Sequence, residues 1–289
     1  MLEATPTTEL ARDGIAVNAR LSLKQCRHGP MMYLRNDVYI GRSFEQYGEY
    51  SEGEVALLRA LLRPGDVAFD VGANVGALTI PMARLVGPTG MVYAFEPQRV
   101  IFQILCGNVA INELGNVQTL QWAVGSAAGT TKVMPLDYGA QNNFGGLALG
   151  SANGEDVAVI AIDDLNLSTL RLLKMDVEGM ELDAIRGAAA TIARCRPFLF
   201  IENDRPEKST ALLTQLFDHG YRLWWHTTPL YNGANFLNNS QNLFGNIHSF
   251  NVLGIPGEVK DVQLSLREIT SAEQGTAYLE NVIRTGQVS

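Results

Sequence analysis

Apolar residues along this chain fall into short unbroken runs alternating with longer stretches of helical spacing. Residues 67–71, 91–95, 172–175 and 198–201 are β-prone and, but for Asp70 and Lys174, apolar, the pattern of strands buried on both faces. After the first run, a helix is expected over 77–86. After the second, Pro97 is placed to start a helix to 114, with Val100, Ile101, Ile104, Leu105 and Val109 as its buried stripe and Gly115 ending it. The third is followed by a helix over about 181–194 and the fourth by one over 207–219. Further strands are expected at 117–124, 221–225 and 250–255, with extended segments at 130–136 and 157–162. A strand–helix alternation of this kind predicts an α/β fold with a largely parallel sheet.

The flanks read differently. Residues 1–20 are polar and are expected to form a loosely attached leader, and 31–34 and 38–40 a small hairpin around a polar turn. Ser51 and Glu54 have capping-box spacing, and the helix that follows carries Val55, Leu58 and Leu62 on one face before Arg63-Pro64-Gly65 stops it. Near the other end lies a loop of about twenty residues rich in asparagine and aromatics, then a tail expected to be helical around 264–283. The expected organisation is a leader, hairpin and cap helix over 1–62, a main domain over 63–257 and a helical tail over 258–289. Another long loop, around Asn142-Asn143-Phe144-Gly145-Gly146, is a candidate lid.

Chemistry concentrates where the apolar runs end. The first breaks into Asp70-Val71-Gly72-Ala73-Asn74-Val75-Gly76. Glycines let backbone approach a ligand, and the next helix turns its N-terminal amides toward the same spot. A dinucleotide fingerprint needs Gly-x-Gly-x-x-Gly, whereas this turn has Gly72, Asn74 and Ala77 at those places. Asp70 would be awkward beside a pyrophosphate and suits a ligand carrying an ammonium group. Twenty positions after Gly76, Glu96 ends the second run, where a carboxylate can accept hydrogen bonds from both hydroxyls of a ribose. Ribose together with ammonium points to S-adenosylmethionine, with Asp70, Gly72, Asn74, Gly76 and Glu96 as its contacts.

Asp176 and Glu178 follow the third run, and Glu202 and Asn203 the fourth. In an open parallel sheet these ends share one rim, and ligands bind along it. Glu181 and Asp204 read as helix-start residues. Tyr47, Glu49 and Tyr50 can line the site or pack as a cap, and the asparagine-rich loop suits a polar ring such as a sugar or simply makes turns.

The 289 residues are 46% hydrophobic and 18% charged with a formal charge of −8, which gives no basic footprint for nucleic acid. Cys26, Cys106 and Cys195 are far apart, without Cys-x-x-Cys spacing, so neither a zinc site nor a disulfide framework is expected. No basic segment followed by an apolar one opens the chain and no apolar run approaches a membrane span. The expectation is a cytoplasmic protein with a small-molecule or glycan acceptor and no nucleic-acid or membrane partner.

Together, Asp70-Val71-Gly72-Ala73-Asn74-Val75-Gly76, Ala94-Phe95-Glu96-Pro97, Asp163-Asp164-Leu165, Lys174-Met175-Asp176-Val177-Glu178-Gly179 and Glu202-Asn203 resemble the FkbM-type methyltransferases, a group of S-adenosylmethionine-dependent enzymes. The match covers roughly residues 65–205. The resemblance implies a Rossmann-like class I methyltransferase sheet of seven strands, the last antiparallel, with helices on both faces, to which the N-terminal hairpin and helix add a cap. It also implies O-methylation of a hydroxyl on a sugar, glycan or natural product.

A hydroxyl acceptor needs a base or a metal that lowers its pKa. Asp176, Glu202 and Asn203 form an all-oxygen set suited to Mg²⁺ or another hard divalent cation, with Glu178 as base. The metal-free alternative draws its base from Asp176, Glu178 and His226. Metal-dependent catechol-type methyltransferases are similar here, but the lysine they carry three residues after the first acid is replaced by Gly179. Two other readings stay open: a nicotinamide-dependent oxidoreductase on a Rossmann fold, disfavoured by Asn74 and Ala77, and a non-catalytic S-adenosylmethionine-binding protein.

Overall fold

The computed structural model describes residues 14–146, 150, 153–260 and 262–288. Three antiparallel strands, β1 (Ile15–Ala16), β2 (Leu21–Cys26) and β3 (Gly29–Leu34), open the described chain, followed by α1 (Ile40–Tyr47) and α2 (Glu52–Leu61). The hairpin is thus β2–β3 and not the 31–34/38–40 pair expected. Residues 38–40 lead into α1, because the Asp37 carboxylate accepts the Tyr39 and Gly41 amides and starts a helix there. Strand β1 falls inside the expected leader, whose first thirteen residues lie outside the described ones.

The strand–helix alternation follows. β4 (Val67–Val71), α3 (Thr79–Val86), β5 (Met91–Phe95), α4 (Arg99–Ile111) and β6 (Val117–Leu120) come first. The run expected at 117–124 divides, and β7 (Ala123–Val124), β8 (Gly129–Val133) and β9 (Glu155–Ile160) make a separate small sheet in the order β7-β9-β8. A 3₁₀ turn, Ile162–Leu165, precedes β10 (Leu172–Met175). The single helix expected after it is two, α5 (Glu181–Arg186) and α6 (Ala189–Cys195). The chain ends with β11 (Phe198–Glu202), α7 (Pro206–Asp218), β12 (Tyr221–Pro229), β13 (His248–Pro256), β14 (Arg267–Ile269) and α8 (Ala272–Thr285).

The large sheet runs β14-β12-β13-β11-β10-β4-β5-β6. Neighbours β6, β5, β4, β10 and β11 pair in parallel, and β13 is antiparallel to both β11 and β12. This is the expected Rossmann-like class I sheet of seven strands with β13, the last, reversed, and β14 extends it by an eighth, antiparallel edge strand where only helix was expected. Alternation sends Phe69, Leu173 and Ile201 into a core with α5 to α8, and Ala68, Leu172 and Phe200 into a core with α2 and α3. The hairpin packs against α3 and α4 through Met31, Tyr33, Ile80 and Ile104. Asn108, fully buried in α4, ties the two together by exchanging hydrogen bonds with the backbone of Met32 and donating to the Val75 carbonyl.

Chain order reverses at β4, with β5 on one side and β10 on the other. A ligand crevice opens at such a switch point, beyond the C-terminal strand ends. Among the described residues no helix is long and apolar enough to cross a membrane.

Candidate active site

A cleft of ≈ 430 Å³ lies at that switch point. Gly72, Asn74, Glu96, Asp176, Glu178 and Glu202, six of the candidates from the sequence, line it together.

At one end the turn after β4 forms the wall. Gly72 has φ +81°, and a Cβ there would lie 1.7 Å from the Asp176 carbonyl oxygen, so only glycine lets the ends of β4 and β10 come this close. Its amide and that of Ala73 both donate to the Phe95 carbonyl. Asn74, also left-handed at φ +50°, then donates its backbone N–H to Glu96 Oε2 at 3.0 Å, while the Gln98 N–H donates to Oε1 at 2.8 Å. Each oxygen keeps a lone pair for a further donor. Burial outweighs these hydrogen bonds and pushes the Glu96 carboxyl up to about 7. Phe95, Trp122, Ala123 and Val124 make an apolar slot next to it.

The roof of this end is the loop around 142–146. Phe144 is fully buried and stacked on Tyr138, its carbonyl accepts from the Gln98 amide at 2.7 Å, and Asn143, Gly145 and Gly146 face the cleft. The loop expected to act as a lid is therefore anchored over the turn.

Two of the expected cofactor contacts sit behind the wall. Asp70 is fully buried and does not line the cleft: Thr79 donates to Oδ2 at 2.6 Å and Lys174 Nζ lies 2.9 Å from Oδ1. A carboxylate already paired with a lysine is not left for a ligand's ammonium group. Gly76, at φ +90°, shapes the turn against Leu105 without reaching the cleft.

At the other end the acids gather. Asp176, Glu178 and Glu202 each offer an oxygen within 4.8 Å of the others. Burial first, and the neighbouring Asp176 charge second, raise Glu178 to about 7 and hold Glu202 well above the usual carboxylate range. Glu178, with a left-handed backbone at φ +56°, is gripped by Arg205, whose guanidinium donates to both its carboxylate and its carbonyl oxygen. Asp204, read from sequence as a helix-start residue, faces the cleft too, whereas Glu181 is the first residue of α5 and its carboxylate accepts from the Val177 and Gly179 amides of the turn before it.

Asn203 and His226 are not brought to this cluster. Glu202 and Asn203 are adjacent on β11 and its end, so their side chains leave on opposite sides; the Asn203 amide donates to Ser209 at the start of α7. His226 is buried on β12 edge-on to Phe200, outside the cleft lining, and desolvation lowers its pKa to about 4.

Several lining residues were missed or only half seen. Tyr50 reaches the cleft, while Tyr47 and Glu49 are buried beneath it: Tyr47 donates to the Gln241 carbonyl, and Glu49 accepts from Asn232, Phe236 and Arg27. Asn235 and Asn239 likewise spend their amides within the loop and on α1, so most of the loop works as scaffold. Ser51 has a left-handed backbone and makes no side-chain cap; Glu54, its expected partner, turns into the cleft wall and accepts from Asn251 on β13. Lys174 and Arg205, both in the lining, carried no assignment, although Lys174 opens the most specific segment of the resemblance.

The model of the methyltransferase FkbM domain matches residues 70–223, just over half of the chain. The chain belongs to this family. Methyltransferase sdnD of Sordaria araneosa is 28% identical over 155 residues, covering 41% of this chain and 58% of its own length. The 31-O-demethyl-FK506 methyltransferase FkbM of Streptomyces tacrolimicus is 26% identical over 241 residues, 71% of this chain and 87% of that protein. A crystal structure of the methyltransferase FkbM of Methylobacillus flagellatus superposes with a TM-score of 0.44 at 17% identity, over 68% of this chain and 45% of the other. This chain thus spans under two thirds of two of these relatives. The matched region holds the glycine turn, Glu96 and the acid cluster, while Tyr50, Glu54 and Asn251 lie outside it.

Proposed function

We propose that the protein transfers a methyl group from S-adenosylmethionine to a hydroxyl oxygen of a sugar, glycan or natural product. The observation that carries the reading is Glu96, a buried carboxylate with spare lone pairs, between a glycine turn and an apolar slot in a cleft whose far end holds the acids. That arrangement suits a nucleoside: ribose hydroxyls donate to Glu96 and a flat base fills the slot beside Trp122. Membership of the FkbM family favours this over a nicotinamide-dependent oxidoreductase, and the relative named as a 31-O-demethyl-FK506 methyltransferase supports an oxygen acceptor on a natural product.

The cofactor, when bound, supplies a methyl group already activated by its sulfonium. The chain must then hold the acceptor oxygen in line and take its proton. Glu178, raised to about 7 and fixed by Arg205, is part-ionised near neutral pH and is the group suited to receive that proton. Glu202 and Asp176, within 4.8 Å, orient the hydroxyl. Tyr50 and Glu54 close the acceptor end.

A second reading draws on the same three oxygens: Asp176, Glu178 and Glu202 offer a hard divalent cation an all-carboxylate set, which would lower the acceptor pKa. Asn203, turned to Ser209, is not part of that set. Calorimetric titration with S-adenosylmethionine, with NAD for comparison, tests the cofactor: the first is expected to bind and the second not, and binding of NAD alone would overturn the proposal. Transfer of labelled methyl to a panel of hydroxylated glycosides and polyketides, with and without chelator, tests the reaction. Binding without transfer to any acceptor would favour a non-catalytic protein, and loss on chelation restored by Mg²⁺ would favour the metal.

A further inference from the structure

Glu54 and Asn251 lie outside the stretch that matches the family, and they meet at the acceptor end of the cleft. Glu54 stands in the first turn of α2 and Asn251 on β13, and both are more than nine-tenths buried, at 7% and 5% exposed. Asn251 Nδ2 donates to Glu54 Oε1 at 3.2 Å. The helix is pressed onto the sheet here: a Cβ on Gly53 would lie 2.5 Å from Thr228 Cγ2 on β12, and the Thr228 hydroxyl is 3.0 Å from that of Ser249 on β13. Burial pushes the Glu54 carboxyl up, and the Ser249 hydroxyl and the Lys174 charge draw it back. A carboxylate has about four lone-pair sites, so even with Asn251, Ser249 and Ser51 against it Glu54 keeps one for a ligand.

Strand register decides what lies beside this pair. Asn251 is opposite Glu202 on the antiparallel β11–β13 ladder, so both side chains leave on one face with Cβ atoms about 5 Å apart. Glu202 Oε2 is buried with no hydrogen-bond partner among the described residues. Glu202 and Glu54 therefore flank Asn251 in one wall of the cleft. Tyr39, Leu230 and Ile247 add apolar surface to the lining. Lys174 and Arg205 are already tied to Asp70 and Glu178, so neither is left to receive an anion.

We infer that Glu54, held by Asn251, selects the acceptor by accepting a hydrogen bond from a second hydroxyl, on the ring carbon next to the one methylated, and that the acceptor is a neutral sugar. The inference rests on the O-methylation reading and deepens it. Glu202 meets the hydroxyl to be methylated, and the hydroxyl on the adjacent carbon reaches the next acceptor along the wall, which is Glu54. A sugar ring has a hydroxylated edge and apolar C–H faces, matching the polar wall and the apolar residues around it. A carboxylate or phosphate on the acceptor would face Glu54, Asp176, Glu178 and Glu202 with neither the lysine nor the arginine of the lining free to meet it, and like charge rejects it.

A clamp that merely fastens α2 to β13 would use the same Glu54–Asn251 contact, and the acceptors separate the two roles. The probes are methyl hexosides, each with its monodeoxy analogues and its uronic acid, assayed for transfer of labelled methyl from S-adenosylmethionine with Mg²⁺ present. For a hexoside that wild-type protein methylates, removing the hydroxyl next to the methylated one is expected to lower kcat/KM roughly 10- to 100-fold, and removing a remote one less than about threefold. The uronic acid is expected to react at least about tenfold more slowly. Glu54→Ala is expected to level the adjacent-hydroxyl ratio while changing calorimetric affinity for S-adenosylmethionine less than about threefold, and Glu54→Asp to restore part of the ratio. Asn251→Ala should reduce it less. Equal wild-type kcat/KM with and without the adjacent hydroxyl would overturn the inference, as would an unchanged ratio in Glu54→Ala or a loss of S-adenosylmethionine affinity as large as the loss of acceptor. If Glu54→Ala does not fold, the wild-type series and Asn251→Ala decide. Transfer to none of the hexosides also overturns it; the methyltransferase reading then stands if S-adenosylmethionine still binds, and falls with it if not.

Discussion

At the glycine-turn end of the cleft, the wall residues Gly72, Asn74, Glu96 and Gln98 come from one strand–helix–strand unit and fasten to each other through backbone amides. At the acid end, Tyr50, Glu54, Asp176, Glu202 and Asn251 come from separated stretches, and Glu54 is joined to Asn251, nearly two hundred residues away, through side chains. The first end is thus a local structure that any chain with this turn can form. The second exists only when the cap helix, two parallel strands and the reversed β13 are all in place. A cofactor common to a family suits the first kind of construction, and an acceptor particular to one protein suits the second.

The sharpest test of the local end is Gly72→Ala. The new methyl would lie 1.7 Å from the Asp176 carbonyl at a φ of +81°, and a cost of about 5 kcal/mol or more is expected, read as loss of the folded protein in a thermal melt. Gly115→Ala, with nothing within 4 Å of its Cβ, is the control and should melt close to wild type. Phe144→Ala comes next. Removing a fully buried ring is expected to cost about 3–5 kcal/mol and, because this ring seats the roof, to weaken cofactor binding as well.

pH separates the ends further. Burial raises the folded-state pKa values of both Glu96 and Glu178 to about 7, from the 4.5 of a free glutamate. The stability each contributes is fully present below the unfolded value and is lost as pH rises through about 7, on the order of 3 kcal/mol each. Urea melts of the ligand-free protein should therefore show stability falling between about pH 4.5 and 7.5, and Glu178→Gln should flatten part of that slope while leaving cofactor affinity unchanged. Cofactor affinity should move the opposite way, tightening as Glu96 ionises, with proton release measurable from buffer-dependent binding heats below pH 7. Glu96→Gln should weaken S-adenosylmethionine by roughly 10- to 100-fold and keep the fold. The smallest effect is expected from Tyr50→Phe, which should leave cofactor affinity within about twofold and alter acceptor turnover alone.

Legibility in sequence followed the same division. The turn at 72–76, the acid at 96 and the acid pair at 176 and 178 were readable because each is a break in an apolar run, and the physics of strand, turn and helix start is contained within a few residues. The Ser51–Glu54 spacing was readable and misleading. Glu54 had a stronger partner in Asn251, nearly two hundred residues away, and burial against β13 outweighed a local cap. The hairpin was misplaced for a comparable reason, since 21–26 and 38–40 both offer 31–34 an extended partner, and the Asp37 carboxylate, by starting α1 at Ile40, leaves 21–26 as the pair.

The amino-acid sequence by itself determined the strand–turn–helix units, their largely parallel sheet, and the identity of the acids at its rim, because apolar runs and glycine turns act over a few residues. Tertiary structure alone decided which of those acids are free. Asp70 and Asp176 both end strands in sequence, but register pairs Asp70 with Lys174 and leaves Asp176 at the rim. Glu202 and Asn203 are neighbours in the chain, and the pleat sends one into the cleft and the other to Ser209. Parity along a strand and register between strands are set by the whole sheet, so the role of a rim residue is a property of the assembled fold.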